Sequence, residues 1–127
     1  MTAKETVLAF YEAYEKDKDV EKCKLYLGEQ YKQHNPWVLD GPEAFLNFVQ
    51  FRHDHYPEGR NYVKLIVADE EQGLVALHVH SVLGHGLPDR NLVDTFRVVD
   101  GKIVEHWDAI MDIPEKPFPP INGNGYW

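Results

Sequence analysis

The chain has 127 residues, 43% hydrophobic and 13% aromatic, the size of one compact domain. Its formal charge of −8, with thirteen basic residues dispersed among twenty-one acids, argues against a nucleic-acid surface or an anionic membrane, since both need clustered lysine and arginine. The single cysteine, Cys23, allows no intrachain disulfide and fits a reducing cytoplasm.

The start, "MTAKETVLAFYEAY", has neither the basic opening nor the continuous apolar run of a signal peptide, and no window approaches the ~18 apolar residues of a membrane span. A soluble, unprocessed chain is expected. Thr2 and Glu5 form a capping box, and Val7, Phe10, Tyr11 and Tyr14 recur on one face, which predicts a helix from Ala3 to Lys16. Asp19 caps a shorter second helix carrying Val20, Cys23 and Leu27, with Gly28 placed to end it. "QYKQHN" has no helical stripe and reads as a short extended segment stopped by Pro36. Asp40 and Glu43 repeat the capping pattern before Phe45, Phe48, Val49 and Arg52, which predicts a third helix closed by Pro57 and Gly59.

From Arg60 the period changes to two. "RNYVKLIVAD", "GLVALHVHSVLG", "NLVDTFRVVD" and "GKIVEHWDAIM" predict four strands, the last two joined by a tight Asp-Gly turn in "VDGK". Residues 112–127 hold four prolines and two glycines and predict an extended arm, whose Phe118, Tyr126 and Trp127 would cover the domain or a partner subunit. The whole, residues 1–127, reads as a single α+β domain: three helices packed on a strongly curved, mainly antiparallel sheet that wraps them as a cone with a pocket.

Strand alternation sorts the pocket lining once a register is chosen. With Asp100 and Gly101 as the two turn residues, Phe96 pairs with Glu105 and Asp94 with Trp107. Asp94, Phe96 and Trp107 then share one face, and Thr95, Arg97, His106 and Asp108 the other. A symmetric loop between Gly84 and Arg90 puts His80 opposite Asp94 and His78 opposite Phe96; a one-residue bulge would overturn this. An aspartate between apolar neighbours is costly to bury unpaired, so Asp94 is a candidate acid/base group, the alternative being a plain hydrogen-bond acceptor in the core or at a sheet edge. Arg97 and Asp108, near His106, read as a solvated ion-pair ladder. His34 and Asn35, entering the third helix, can reach the pocket mouth or merely cap the bend. His78, His80 and His85 suggest a divalent metal only weakly, because no HExxH or paired-cysteine motif accompanies them, and none is expected.

The element order, with "YKQHNP", "DGPEAFLNF" and above all "DTFRVVDGKIVEHWD", resembles the SnoaL-like polyketide cyclases. These lie within the cone superfamily that includes nuclear transport factor, ketosteroid isomerase and limonene epoxide hydrolase. The resemblance implies a cofactor-independent aldol-type closure of a small apolar carbonyl compound, with Asp94 as acid/base group and His80 assisting. His34, Asn35, His78, Phe96 and Trp107 would line the site. It also implies a homodimer through the outer face of the sheet. Asn35 occupies the place where isomerase relatives carry a carboxylate, which disfavours steroid isomerisation. Arg97, facing away from Asp94, disfavours epoxide hydrolysis. The rival classes are a ligand-binding or dimerising module without turnover and a metal-assisted hydrolase.

Overall fold

The computed structural model describes residues 1–114 and 121–127, so Phe118 of the expected arm lies outside the described residues. In chain order come α1 (Ala3–Glu12), a π-turn (Ala13–Asp17), α2 (Val20–Lys24), β1 (Leu27–Gln33), α3 (Pro42–His55), β2 (Arg60–Asp69), β3 (Leu74–Val82), β4 (Arg90–Val99) and β5 (Lys102–Asp112). Three helices pack on a curved, open five-stranded sheet of order β1-β5-β4-β3-β2. Every pairing is antiparallel except β1 with β5. Among the described residues no helix is long and apolar enough to cross a membrane.

Local chemistry sets most element ends. Both halves of the Thr2/Glu5 capping box form, and Glu70 adds bonds from the amides of Ala3 (2.7 Å) and Lys4 (3.0 Å), tying the start of α1 to the β2–β3 turn. The π-turn carries Tyr14 inward and ends at Lys18 in the left-handed region. α2 stops at Leu25, earlier than expected, and Gly28 belongs to β1 instead of a helix end. α3 departs from its predicted cap. Gly41 (φ +98°) precedes Pro42 at the N-terminus, while Asp40 Oδ1 accepts the Gln33 amide at 2.8 Å and so anchors the β1–α3 loop. The core lies between the helices and the inner face of the sheet, with Val7, Phe10, Leu77, Phe96 and Ile103 almost wholly buried.

Two registers differ from expectation, and both differences exchange faces. Asp100 and Gly101 both have positive φ, as the tight turn requires, and Val98 pairs with Ile103 as expected. A bulge then inserts Val104, so Phe96 faces His106 and Asp94 faces Asp108. Between β3 and β4 the loop is centred elsewhere. Gly84, His85 and Gly86 all take positive φ, Ser81 pairs with Arg90, and Leu77 faces Asp94. β4 keeps its predicted faces, while β3 and the inner part of β5 turn over against it. His78, His80 and Trp107 therefore lie on the outer face, and His106 and Asp108 on the inner one.

The outer face collects what was expected in the pocket. His34 stacks on Trp107 (4.9 Å, 3°) and its Nε2 bonds Glu105 at 2.8 Å, with Arg97 beside both. His34 and Arg97 hold the Glu105 carboxyl below its ordinary pKa. His80 pairs with Asp89 at 2.8 Å and is stacked by Trp127 at the end of the chain (4.6 Å), so the described end of the tail rests on β2 and β3.

Candidate active site

Asp94 is the centre of a directed hydrogen-bond network on the inner face of the sheet. Its Oδ2 takes a bond of 2.6 Å from the Tyr11 hydroxyl, and its Oδ1 lies 2.9 Å from His106 Nε2. Register explains the meeting: Phe96, opposite His106, and Asp94, opposite Asp108, follow one another on the inner side of β4. The side chains of Asp94 and His106 are 13% and 6% exposed, so the pair is shielded from water.

The directions can be read from groups that only donate. Arg52 Nη2 donates to Asn61 Oδ1 at 3.0 Å, which turns Asn61 Nδ2 toward the Tyr11 oxygen at 3.4 Å. Tyr11 accepts there and donates to Asp94. Burial, reinforced by the Asp94 charge, raises the Tyr11 pKa well above its ordinary value and keeps this proton in place. On the far side the Asn35 amide donates to Gln33 Oε1 at 3.0 Å, so the oxygen of that side chain faces His106 Nδ1 at 2.7 Å, and Nδ1 must carry hydrogen. Oδ2 thus accepts and Nδ1 donates, which leaves Asp94 Oδ1 and His106 Nε2 facing each other as the remaining contact of the pair.

Asp108 supplies a second carboxylate. Asn35 Oδ1 accepts the Trp37 amide at 2.9 Å in an Asx turn, which aims Nδ2 at Asp108 Oδ2, 2.8 Å away. "QHNPW" therefore sets two side-chain amides, each oriented by a backbone N–H two residues on. One ligand atom each of Asp94, His106 and Asp108 lie within 4.8 Å of one another, spacing that a metal ion could use. Both Asp94 oxygens and both His106 nitrogens are already engaged by protein hydrogen bonds.

The cluster opens into two hollows that share Tyr14, Phe48 and Asn61 in their walls. The inner, about 50 Å³, is walled by Phe10, Phe45, Phe96, Asp94 and His106. The outer, about 180 Å³, is bordered by Asn35, Trp37, Arg52, Arg90 and Asp108. Arg52 donates to the Tyr14 hydroxyl and to Glu15 at 3.1 Å, so its charge is already matched. Burial raises the Tyr14 pKa, against the pull of Arg52, and its hydroxyl stays protonated. A wider groove of about 670 Å³ beside β1 has none of the clustered acid/base groups in its wall.

The model for the SnoaL-like domain matches residues 7–106 of this chain. The chain belongs to the SnoaL-like domain family. Solved structures share its fold at low identity. An uncharacterized cystatin-fold protein from Novosphingobium aromaticivorans is 19% identical with a TM-score of 0.75, over 86% of this chain and 98% of that one. Wild-type IdmH from Streptomyces antibioticus, a proposed polyketide cyclase, is 23% identical with a TM-score of 0.70, over 87% and 92%. An NTF2-like protein of unknown function from Cytophaga hutchinsonii is 16% identical with a TM-score of 0.72, over 87% and 91%. No protein of curated function matches the chain.

Within this SnoaL-like domain, three of the seven residues predicted for the site face the hollows: Asp94, Asn35 and Phe96. His34, His78, His80 and Trp107 do not meet them. Sequence reading missed His106, Asp108, Tyr11, Asn61 and Gln33. The alternation of His106 with Asp108 on β5 was the available signal, and it was assigned to the wrong face.

Proposed function

We propose that this SnoaL-like domain is a cofactor-independent acid/base enzyme acting on a small carbonyl compound by proton transfer at the adjacent carbon, with aldol-type ring closure as the productive outcome. The observation that carries the reading is the 2.9 Å contact between Asp94 Oδ1 and His106 Nε2, to which we assign one shared proton, with an Asp108 oxygen within 4.8 Å of the pair. Asp108, engaged only through Oδ2, takes the proton as the C–H bond breaks. Negative charge moves to the carbonyl oxygen, which is met by the proton shared between Asp94 and His106. The enol carbon then bonds to a second carbonyl carbon of the same molecule as its own C=O re-forms and its hydroxyl proton returns to the Asp94–His106 contact, and protonated Asp108 gives its proton to the new alkoxide. Asp94 thus keeps a place in the acid/base centre, with His106 in the assisting role that His80 was expected to fill.

The test is exchange of α-hydrogens in deuterium oxide across a panel of small ketones, followed by nuclear magnetic resonance. Wild-type protein is expected to exceed buffer, with Asp108→Asn and Asp94→Asn each lowering the rate by about a hundredfold or more. Equal exchange in wild type and Asp108→Asn would sink the assignment. Saturable binding with no exchange by any form would make this a ligand-binding module instead.

The reading extends to a cytoplasmic homodimer. Tyr62, Leu65 and Val67 on β2 are half exposed or more and offer apolar area on the outer sheet face. Sedimentation at micromolar concentration tests it, and a monomeric mass would refute it.

A further inference from the structure

One row of the inner face contains two buried donors with nothing to bond. Asn61, Ser81, Arg90 and Asp112 are successive register partners across β2, β3, β4 and β5. Ser81 is 1% exposed and its hydroxyl has no partner among the described residues. Across from it, Arg90 Nε is buried and also has none. Unsatisfied buried donors are uncommon in folded proteins, and a guanidinium N–H is costly to leave unpaired. Arg52 and Arg97 each have a carboxylate partner, while Arg90 forms no salt bridge among the described residues. It borders the outer hollow, whose wall also holds Asp108.

We infer that Arg90 receives a carboxylate of the substrate, which makes the substrate class a small oxo-carboxylic acid that carries a second carbonyl. This rests on the proton-transfer reading for the ketone half of the molecule. The planar guanidinium fork matches a carboxylate, whose two oxygens can take hydrogens from its two Nη groups together. One cation without a salt bridge among the described residues, sharing a hollow with the carboxylate of Asp108, suits one negative charge better than the two of a phosphate ester. Arg90 and Asp94 are four residues apart on β4, about 13 Å along the strand. A carboxylate on Arg90 and a ketone at Asp108 would share the wall of one hollow. Hollows of about 180 and 50 Å³ are small beside the ~300–1,000 Å³ of drug-sized sites, which favours a compact acid over a polycyclic one.

The experiment is calorimetric titration of the wild-type chain with levulinate and with its neutral methyl ester, each to high millimolar concentration. Levulinate is expected to bind about tenfold or more tighter than the ester, the difference vanishing in Arg90→Met and partly surviving in Arg90→Lys. Equal affinities for acid and ester, no saturable binding of either, or an acid preference that survives in Arg90→Met would each overturn the inference. Inorganic phosphate competing better than acetate would overturn the carboxylate assignment. Failure of the chemistry reads differently: an Arg90-dependent acid preference without α-hydrogen exchange leaves the anion site standing and removes the catalytic reading.

Discussion

Replacing Asp94 by leucine and by asparagine separates the proton inventory of the site from simple packing. In Asp94→Leu the Tyr11 hydroxyl loses its 2.6 Å acceptor and His106 Nε2 its 2.9 Å partner, both in a buried setting. Each orphaned group costs about 1–3 kcal/mol, and together they fall in the ~3–5 kcal/mol typical of removing one member of a buried pair. Asparagine is different. Its oxygen can still accept from Tyr11, and its amide can donate to Nε2 of a neutral His106 whose hydrogen stays on Nδ1 toward Gln33. The loss should then be about 1 kcal/mol. Urea unfolding at neutral pH measures both, with the slope expected to be unchanged. Nitrogen chemical shifts of the His106 ring in Asp94→Asn should report the Nδ1–H form. Asparagine as costly as leucine, or a ring protonated on Nε2 alone, would refute the hydrogen-bond directions drawn from Arg52 and Asn35.

Three further outcomes are expected. Gly73 has φ +66°, and a Cβ there would lie 2.3 Å from the Val98 carbonyl oxygen. Gly73→Ala should therefore lose more than the ~1–3 kcal/mol of a strained backbone alone, read as a clear drop in melting temperature; an unchanged value would contradict the close approach. Burial pushes the Cys23 thiol up to about 11, with Asp19 adding to it, so labelling by a thiol reagent at neutral pH should proceed only as fast as the chain opens. Labelling faster than unfolding would show the thiol to be accessible. Burial also holds the His53 pKa below its ordinary value, against the pull of the Tyr14 carbonyl. The unfolded chain then takes up this proton first, so the contribution is complete above pH ~6.5 and is lost as pH falls below it. Stability of His53→Gln should decline less steeply than wild type over that interval; a parallel decline would rule His53 out.

The sequence by itself determined the elements and their class, because those signals are local. The Thr2/Glu5 box, the Asp100-Gly101 turn and the alternation of Leu92, Asp94 and Phe96 depend on neighbouring residues only, and each appears in the structure. β1 was legible only as an extended segment: its burial does not alternate, and its parallel partner β5 lies at the other end of the chain. The site depended on how strands slide past one another. A single inserted residue, Val104, exchanges the faces of β5 beyond it, and an off-centre loop at Gly84–Gly86 exchanges those of β3, since side chains alternate with period two. Tertiary packing alone decided that His106 and Asp108, and not His78 and His80, meet Asp94. Burying Leu77, Val79 and Phe96 in the core requires that register, and the imidazole 2.9 Å from the aspartate comes with it.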